Sequence, residues 1–480
     1  MLGSSRGWRP ARCEEPPSSK QSFSANDEKE KVNQKSDAKP QVLTEHEMNV
    51  WDKRRKRWDR LRAFVNDRAS LYLDLPTPML YRAEKRDREG GDLEKVRKRA
   101  VEHAFSKKRF PNLSEDELEQ RREKWAELLR GFAKHGKCSG GNKMTVLETG
   151  NVAFVEMLSH IECASERVWL ESYIWDDTHL AELFVEAVVA ARKRGCDVLV
   201  LVDAIGGSDM PEKHKSAMRD AGIDLGIFNP ILFGAIGPPV FRDHRKILLC
   251  DDTVFVGGMN VTADEADPPV GNGRFYDIHA KVRGPVVADI VDVMRDSLEE
   301  SGLGHMPREP IKPPEPISGG VYMQVLESNI RKNKCSLQSV LRRVLGSADD
   351  MICLTSAYFI PPGFLQRALF DSAKNGAQVR MLLSGESDFW PFPGDLASQT
   401  WLLQRFINRD NFEVFLHTKQ HMHAKTLAVD GVFSNVGSFN FDRYSARRNL
   451  EISVSVFDPE TASTLEQIQV AKTEDSHKAC

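Results

Sequence analysis

"FRDHRKILLCDD", residues 241–252, decides the fold: His244 and Lys246 head a run that is otherwise apolar enough to be buried. In a strand, residues two apart share a face, so both side chains project the same way. One H-x-K triplet carries little weight, because a lone histidine on a strand is more often structural than catalytic. A second copy changes that. "HAKTLAVDG" begins at His423, 179 residues after His244.

The same interval relates "TVLETG" at 145 to "QVLES" at 324, with Val146 and Val325 as equivalent positions. "ESYIW" at 171 matches "SAYFI" at 356, and the helix ending in "AARKRG" runs into "CDVLVLVD" (196–203) as "DSAKNG" runs into "AQVRMLL" (377–383). Short β-branched runs alternating with helical patterns predict an α/β fold built as an internal repeat. The expected organisation is a disordered tail over 1–43 and a helical region over 44–140, with a capping box at Ser114 and Glu117. A first half over 141–305, a Pro-rich linker over 306–320, a second half over 321–460 and a C-terminal tail over 461–480 follow.

Lys plus Arg (67) nearly balance Asp plus Glu (70). No bulk basic field points to nucleic acid, so none is expected as a partner, and anion recognition has to be local. The basic cluster "KRRKRW" in the helical region reads first as a solvated helix face and second as a contact for anionic head groups. Eight cysteines without a C-x-x-C pair predict reduced, mostly buried thiols. No run approaches the ~18 apolar residues of a spanning helix, so work at a membrane is expected from its surface. Arg6, Arg9 and Arg12 precede the first acid, Glu14. As a transit peptide they would direct the chain to a mitochondrion or plastid; as a plain tail they leave it cytoplasmic.

If the halves pack about a pseudo-twofold axis, His244, Lys246, His423 and Lys425 converge in one cleft. That set suits a phosphodiester with neither metal nor cofactor, because two ammonium groups neutralise phosphoryl oxygens as charge redistributes. One imidazole attacks phosphorus, while the other protonates the leaving oxygen and later activates the incoming one. Downstream, "GGMN" (257–260) and "GSFN" (437–440) offer backbone N–H groups, the close approach that Gly258 allows, the Ser438 hydroxyl and the Asn260 and Asn440 amides as phosphate-binding parts. A nucleophilic histidine also needs its second ring nitrogen fixed by a partner. Asp277, 33 residues after His244, and Glu451, 28 after His423, are the expected orienting carboxylates, each downstream in the half of its histidine. Solvation of a strand end is the plainer alternative for both.

These residues closely resemble the phospholipase D superfamily, whose signature is H-x-K-x4-D followed by G-[SG]-x-N, usually twice per chain. The resemblance covers about 141–457. It implies two α/β/α halves with mixed sheets and the active site at their interface. His423, Lys425, Asp430, Gly437, Ser438 and Asn440 fit without departure. His244, Lys246, Asp251, Gly258 and Asn260 fit with Gly in the Ser place and one residue fewer between Asp251 and Gly257. That residue is expected to be lost at the turn, since a slip within the strand would reverse its faces. Asp251 and Asp430 belong to the family's catalytic motif, although Asp430-Gly431 reads locally as turn chemistry.

"LESYIW", "VRGPVVADI", "SAYFIPP" and "NVGSFNFDRYSARRNLE" look most like the bacterial-type cardiolipin synthases. That likeness implies transfer of a phosphatidyl group between two phosphatidylglycerol molecules, with His244 as nucleophile and His423 as acid and base. It also implies peripheral contact with a membrane surface, for which the apolar loops "FNPILFGAIGPPVF" (228–241) and "SDFWPFPGD" (387–395) are candidates against plain buried packing. A metal on His417, His421 and His423 is not expected, because it would block the proton chemistry of His423. The rivals are a hydrolase or nuclease on the same fold, and a non-catalytic lipid-binding module.

Overall fold

The repeat folds as one alternation of buried strand and amphipathic helix, used twice. The computed structural model describes residues 91–479 apart from 231–240, 304–310, 333, 387–398, 400–402 and 407–408. Helices α1 (Gly91–Ala104) and α2 (Glu115–Ala133) come first. The first half contains β1 (Cys138–Glu148), α3 (Gly150–Cys163), β2 (Arg167–Ser172), α4 (His179–Lys193), β3 (Asp197–Asp203), α5 (Glu212–Asp220) and β4 (Asp224–Phe228). It continues through β5 (Ile247–Cys250), β6 (Thr253–Gly257), β7 (Phe275–Tyr276), β8 (Ile278–Arg283) and α6 (Val286–Glu300). The second half contains β9 (Val321–Asn329), β10 (Lys334–Cys335), α7 (Ser336–Leu345), β11 (Met351–Ser356), α8 (Gly363–Lys374), β12 (Gln378–Ser384) and β13 (Phe412–His417). It ends with β14 (His421–Met422), β15 (Thr426–Val429), β16 (Phe433–Gly437), α9 (Arg443–Arg447), β17 (Glu451–Phe457), α10 (Pro459–Thr473) and β18 (Ser476–Lys478).

The halves share one sheet. β1 and β9 pair antiparallel at a central seam. Outward from it the order is β8-β6-β5-β2-β3-β4 on one side and β17-β16-β15-β11-β12-β13 on the other. Matching order on the two sides makes the seam a pseudo-twofold axis. The outer strands β2-β3-β4 and β11-β12-β13 run parallel, while those nearer the seam are antiparallel, so the sheet is mixed.

Strand alternation divides the core into layers. Ile247 and Leu249 enter the core beneath α6 and α10, which spans both halves. Leu248 and Cys250 point the other way, into the core under α3 and α4. α1 and α2 join α7 and α8 over the second half, where Trp125 packs with its ring 5.3 Å from that of Phe457. The expected capping box forms at Ser114 and Glu117.

The segment expected as a C-terminal tail is instead α10 and β18. α10 is the second-half counterpart of α6, capped by the Asp458 side chain. Its sequence, "PETASTLEQIQVAKT", carries few large apolar residues, which hid it from a reading based on hydrophobic pattern. Cys163 is disulfide-bonded, against the expectation of reduced thiols; Cys138, Cys196, Cys250, Cys335 and Cys353 are free. Among the described residues no helix is long and apolar enough to cross a membrane. The expected tail over 1–43, the helical stretch 44–90 and most of the two apolar loops lie outside the described residues.

The missing residue is absorbed at the turn. Cys250 faces Thr253 across a two-residue connection, and Val429 faces Phe433 across three residues. Asp251 (φ 51°) and Asp430 (φ 53°) both take the left-handed conformation there, which Asp tolerates better than most residues. Their carboxylates grip the entry to a neighbouring strand. Asp251 accepts from the N–H groups of Ser165, Glu166 and Arg167, each at 2.9 Å. Asp430 accepts from Asp349, Asp350 and Met351 at 2.9–3.1 Å. This corrects their place in the catalytic set: roughly 15 Å of strand separates each from its lysine.

Asp251→Ala and Asp430→Ala each strand three amide donors. Either variant is expected to lose about 2–4 kcal/mol of unfolding free energy in a denaturant titration, with turnover per folded molecule within a few-fold of wild type. Loss of turnover at unchanged stability would return these aspartates to the chemistry.

Candidate active site

Both H-x-K segments reach the seam by the same local device. His244 N–H donates to the Leu450 carbonyl (3.0 Å) and Leu450 N–H to the Arg242 carbonyl (2.8 Å), which delivers Glu451. β14 pairs in parallel with β7 and His423 N–H donates to the Tyr276 carbonyl (2.8 Å), which delivers Asp277. The carboxylates are therefore exchanged between halves. His244 Nδ1 lies 3.2 Å from Glu451, and His423 Nδ1 lies 2.6 Å from Asp277. The expectation that each acid serves its own half is corrected. The parallel bridges set the pairing, and spacing along the chain does not.

A carboxylate only accepts, so each imidazole presents Nδ1–H to its partner and keeps Nε2 for chemistry. Lys246 Nζ donates to its own His244 carbonyl (2.6 Å), and Lys425 does the same to His423. Lys425 Nζ also lies 3.6 Å from Asp277. Tyr173 packs its ring edge-on against His244, centroids 5.0 Å apart, and lies under the Lys246 ammonium at 5.2 Å.

Burial acts unequally on these groups. It pushes His244 down to about 4, helped by Lys246 and opposed by Glu451, so His244 is neutral. Burial also lowers Lys246 to about 7, and an arriving phosphate would restore its charge. Burial and Lys425 oppose the charge of His423 too, yet the carboxylates of Glu265 and Asp277 lift it above the ordinary histidine value. The two imidazoles are therefore driven in opposite directions, His244 toward the neutral form and His423 toward the imidazolium.

Other expected parts take different positions. The Gly258 and Ser438 amides donate to the carbonyls of Ile278 and Ile452, and the Met259 and Asn260 amides donate to His279 and Glu265. These N–H groups are committed to the protein, which corrects their reading as phosphate donors. Asn260 also spends its side chain, donating to Glu265 and accepting from Ile174. The Ser438 hydroxyl donates to Glu451 and so orients the orienting group. Asn440 differs: its Oδ1 is buried with no partner among the described residues. At Gly258 a Cβ would meet the Asp277 carboxylate at 2.3 Å, which accounts for Gly in the Ser place. Sequence reasoning missed Glu265, whose Oε1 lies 3.3 Å from His423 Nδ1; the only signal was an acid five residues after the motif Asn260. His421 bonds through Nδ1 to Ser384 and the Glu386 carbonyl (3.0 Å each). The grouping with ligand atoms within 4.8 Å at this site is Glu265, Asp277 and His423, and there Lys425 supplies the positive charge.

Two H-x-K segments brought to one seam, each histidine backed by a buried carboxylate, define a member of the phospholipase D superfamily. The chain belongs to the family described as cardiolipin synthase, PLD-like domain, whose model matches residues 157–269 and 341–469, just over half of the chain. It is 27% identical over 339 residues to the probable cardiolipin synthase YwiE of Bacillus subtilis (strain 168), covering 70% of this chain and 66% of that protein. Against cardiolipin synthase B of Escherichia coli (strain K12) the identity is 26% over 340 residues, covering 68% and 80%. The chain thus spans just under two thirds of the first relative. The crystal structure of phosphatidylserine synthase from Haemophilus influenzae Rd KW20 superposes with a TM-score of 0.58 at 15% identity, covering 73% of this chain and 91% of that one. That likeness shows the fold.

Burial pushes His279 and His421 down to about 3, as it pushes His244 to about 4. Unfolded, these histidines bind a proton near pH 6.5, so their contribution to stability is complete above that value and shrinks as pH falls toward 4. His423, raised, works in the opposite sense above pH 6.5. The denaturant midpoint is expected to drop between pH 6.5 and 4.5, each group contributing up to ~1.4 kcal/mol per pH unit. His421→Gln should flatten that slope; an unchanged slope would show that His421 is not held neutral.

Proposed function

We propose that this chain is a cardiolipin synthase-like phosphatidyltransferase that moves a phosphatidyl group between two phosphatidylglycerol molecules at a membrane surface, giving cardiolipin and glycerol. The observation that carries the reading is the exchange of carboxylates across the seam, which gives each buried imidazole an acid on Nδ1 beside two buried lysines. The Nε2 lone pair of His244 attacks the phosphorus of the first lipid. The bond from phosphorus to the head-group glycerol oxygen breaks, and His423 gives that oxygen its proton. Glycerol leaves and a phosphatidyl-histidine remains on His244. His423, now neutral, takes the proton from a hydroxyl of the second phosphatidylglycerol, whose oxygen displaces His244. Glu451 stabilises the charge on His244 during attack, and Lys246 and Lys425 neutralise the non-bridging oxygens.

Purified protein with phosphatidylglycerol vesicles tests this. Cardiolipin and glycerol in equal amounts are expected. Phosphatidic acid as sole product would mean a hydrolase, and cleavage of single-stranded DNA without lipid turnover would mean a nuclease. His244→Ala and His423→Ala should each cut product formation by at least about 100-fold; full activity in either overturns the mechanism.

A further inference from the structure

We infer that Glu265 is a second positioning carboxylate at the acid half of the cleft, holding His423 in its proton-donating state and thereby deciding which histidine is acid and which is nucleophile. The inference rests on the transfer reading above. Glu265 is 2% exposed and closes a single helical turn, Ala263–Glu265, capped by Thr262; Thr262 is itself held by Asp176. Its Oε1 accepts from the Asn260 N–H (3.3 Å) and side-chain amide (3.2 Å) and lies 3.3 Å from His423 Nδ1. Its Oε2 is buried with no hydrogen-bond partner among the described residues. A carboxylate so placed is directed at the imidazole.

The other half-site lacks this group. Five residues after Asn440 stands Ser445, and His244 faces one carboxylate, Glu451, whose charge is shared with the Ser438 hydroxyl and the Asn449 amide. The groups facing His423 are Lys425 and His421 on its own segment, and Asp277 and Glu265 from the first half; Lys246 faces the same two acids across the cleft. Two carboxylates against one adjacent ammonium favour an imidazolium at His423. At His244 one satisfied carboxylate against one ammonium does not. Gly258 belongs to the same arrangement: a side chain there would displace Asp277, and the pair of acids would be lost.

E265Q keeps the oxygen that accepts from Asn260 and removes only the charge. Histidine-selective nitrogen-15 NMR of the full chain without lipid reads the effect without turnover. His423 is expected to titrate at least about one pH unit lower in E265Q, a tenfold change in its protonation equilibrium. In the vesicle assay the basic limb of kcat/KM against pH should move down by the same amount while the acid limb, set by His244, stays. D277N, which also loses the group that fixes the ring, should lose turnover at every pH. If E265Q does not fold, E265D, which retracts the carboxylate by one methylene, must shift the titration in the same direction. His423 titrating as in wild type in the folded variant overturns the inference. A wild-type protein that turns over no phosphatidylglycerol overturns the transfer reading instead, and the NMR shift still decides the role of Glu265.

Discussion

Everything in the cleft depends on two short parallel bridges at the seam, one joining Leu450 to the backbone of Arg242 and His244, the other joining Phe275 and Tyr276 to His421 and His423. Each bridge carries a carboxylate across to a histidine its own half cannot partner. An imidazole this deeply buried needs its Nδ1–H satisfied, and Glu451 and Asp277 are themselves fully buried. Removing one member of such a pair strands the other at a cost of about 3–5 kcal/mol. The halves are thus bound by these two histidine–carboxylate pairs, in addition to the apolar core beneath α6 and α10. A half produced alone would hold one unpartnered histidine and one unpartnered acid.

Duplication alone would give two equal histidines, whereas the proposed transfer needs one imidazole neutral and the other charged. The departures from symmetry supply the difference. Glu265 and Gly258 shape the surroundings of His423, whereas Ser438 and Asn449 shape those of Glu451. The residue between His and Lys differs as well. Arg245 in the first copy is wholly buried, donates to Ser297 and lies 4.0 Å from both Glu171 and Glu327, while the second copy has Ala424, packed among apolar side chains. Behind the first motif, burial and the neighbouring Asp243 push Glu171 well above the usual carboxylate range. Behind the second lies ordinary core.

Much of this was legible in the sequence because it is periodic. The repeat and the deletion at the first turn follow from a fixed interval and a two-residue strand period and are found in the structure, whereas both H-x-K triplets, expected on strands, lie just before β5 and β15. The pairing of acids with histidines was not legible, since it depends on which strand ends meet across the seam. Glu265 was invisible for the same reason, since nothing along the chain says that the acid five residues after Asn260 meets a histidine of the other half. The Gly258, Met259, Asn260 and Ser438 amides misled because glycine signals close backbone approach without saying what approaches. Here it is Asp277 at Gly258, and no phosphate has to be invoked.

The motif's aspartates complete the logic of the strand between them and the chemistry. Asp251 grips the entry to β2 through three amides. β2 then runs antiparallel to β5, with Val168 opposite Cys250 and Glu171 opposite Ile247. Two residues beyond Glu171, Tyr173 meets His244. A one-residue slip at the braced end would reverse every side chain along β5 and carry His244 and Lys246 out of the cleft together. Asp430 grips β11 in the same way, and β11 pairs with β15 from Ile352 opposite Val429 to Thr355 opposite Thr426. The eight residues from His to Asp therefore join the His–Lys pair to the brace that sets its register, and a four-residue strand holds the two apart.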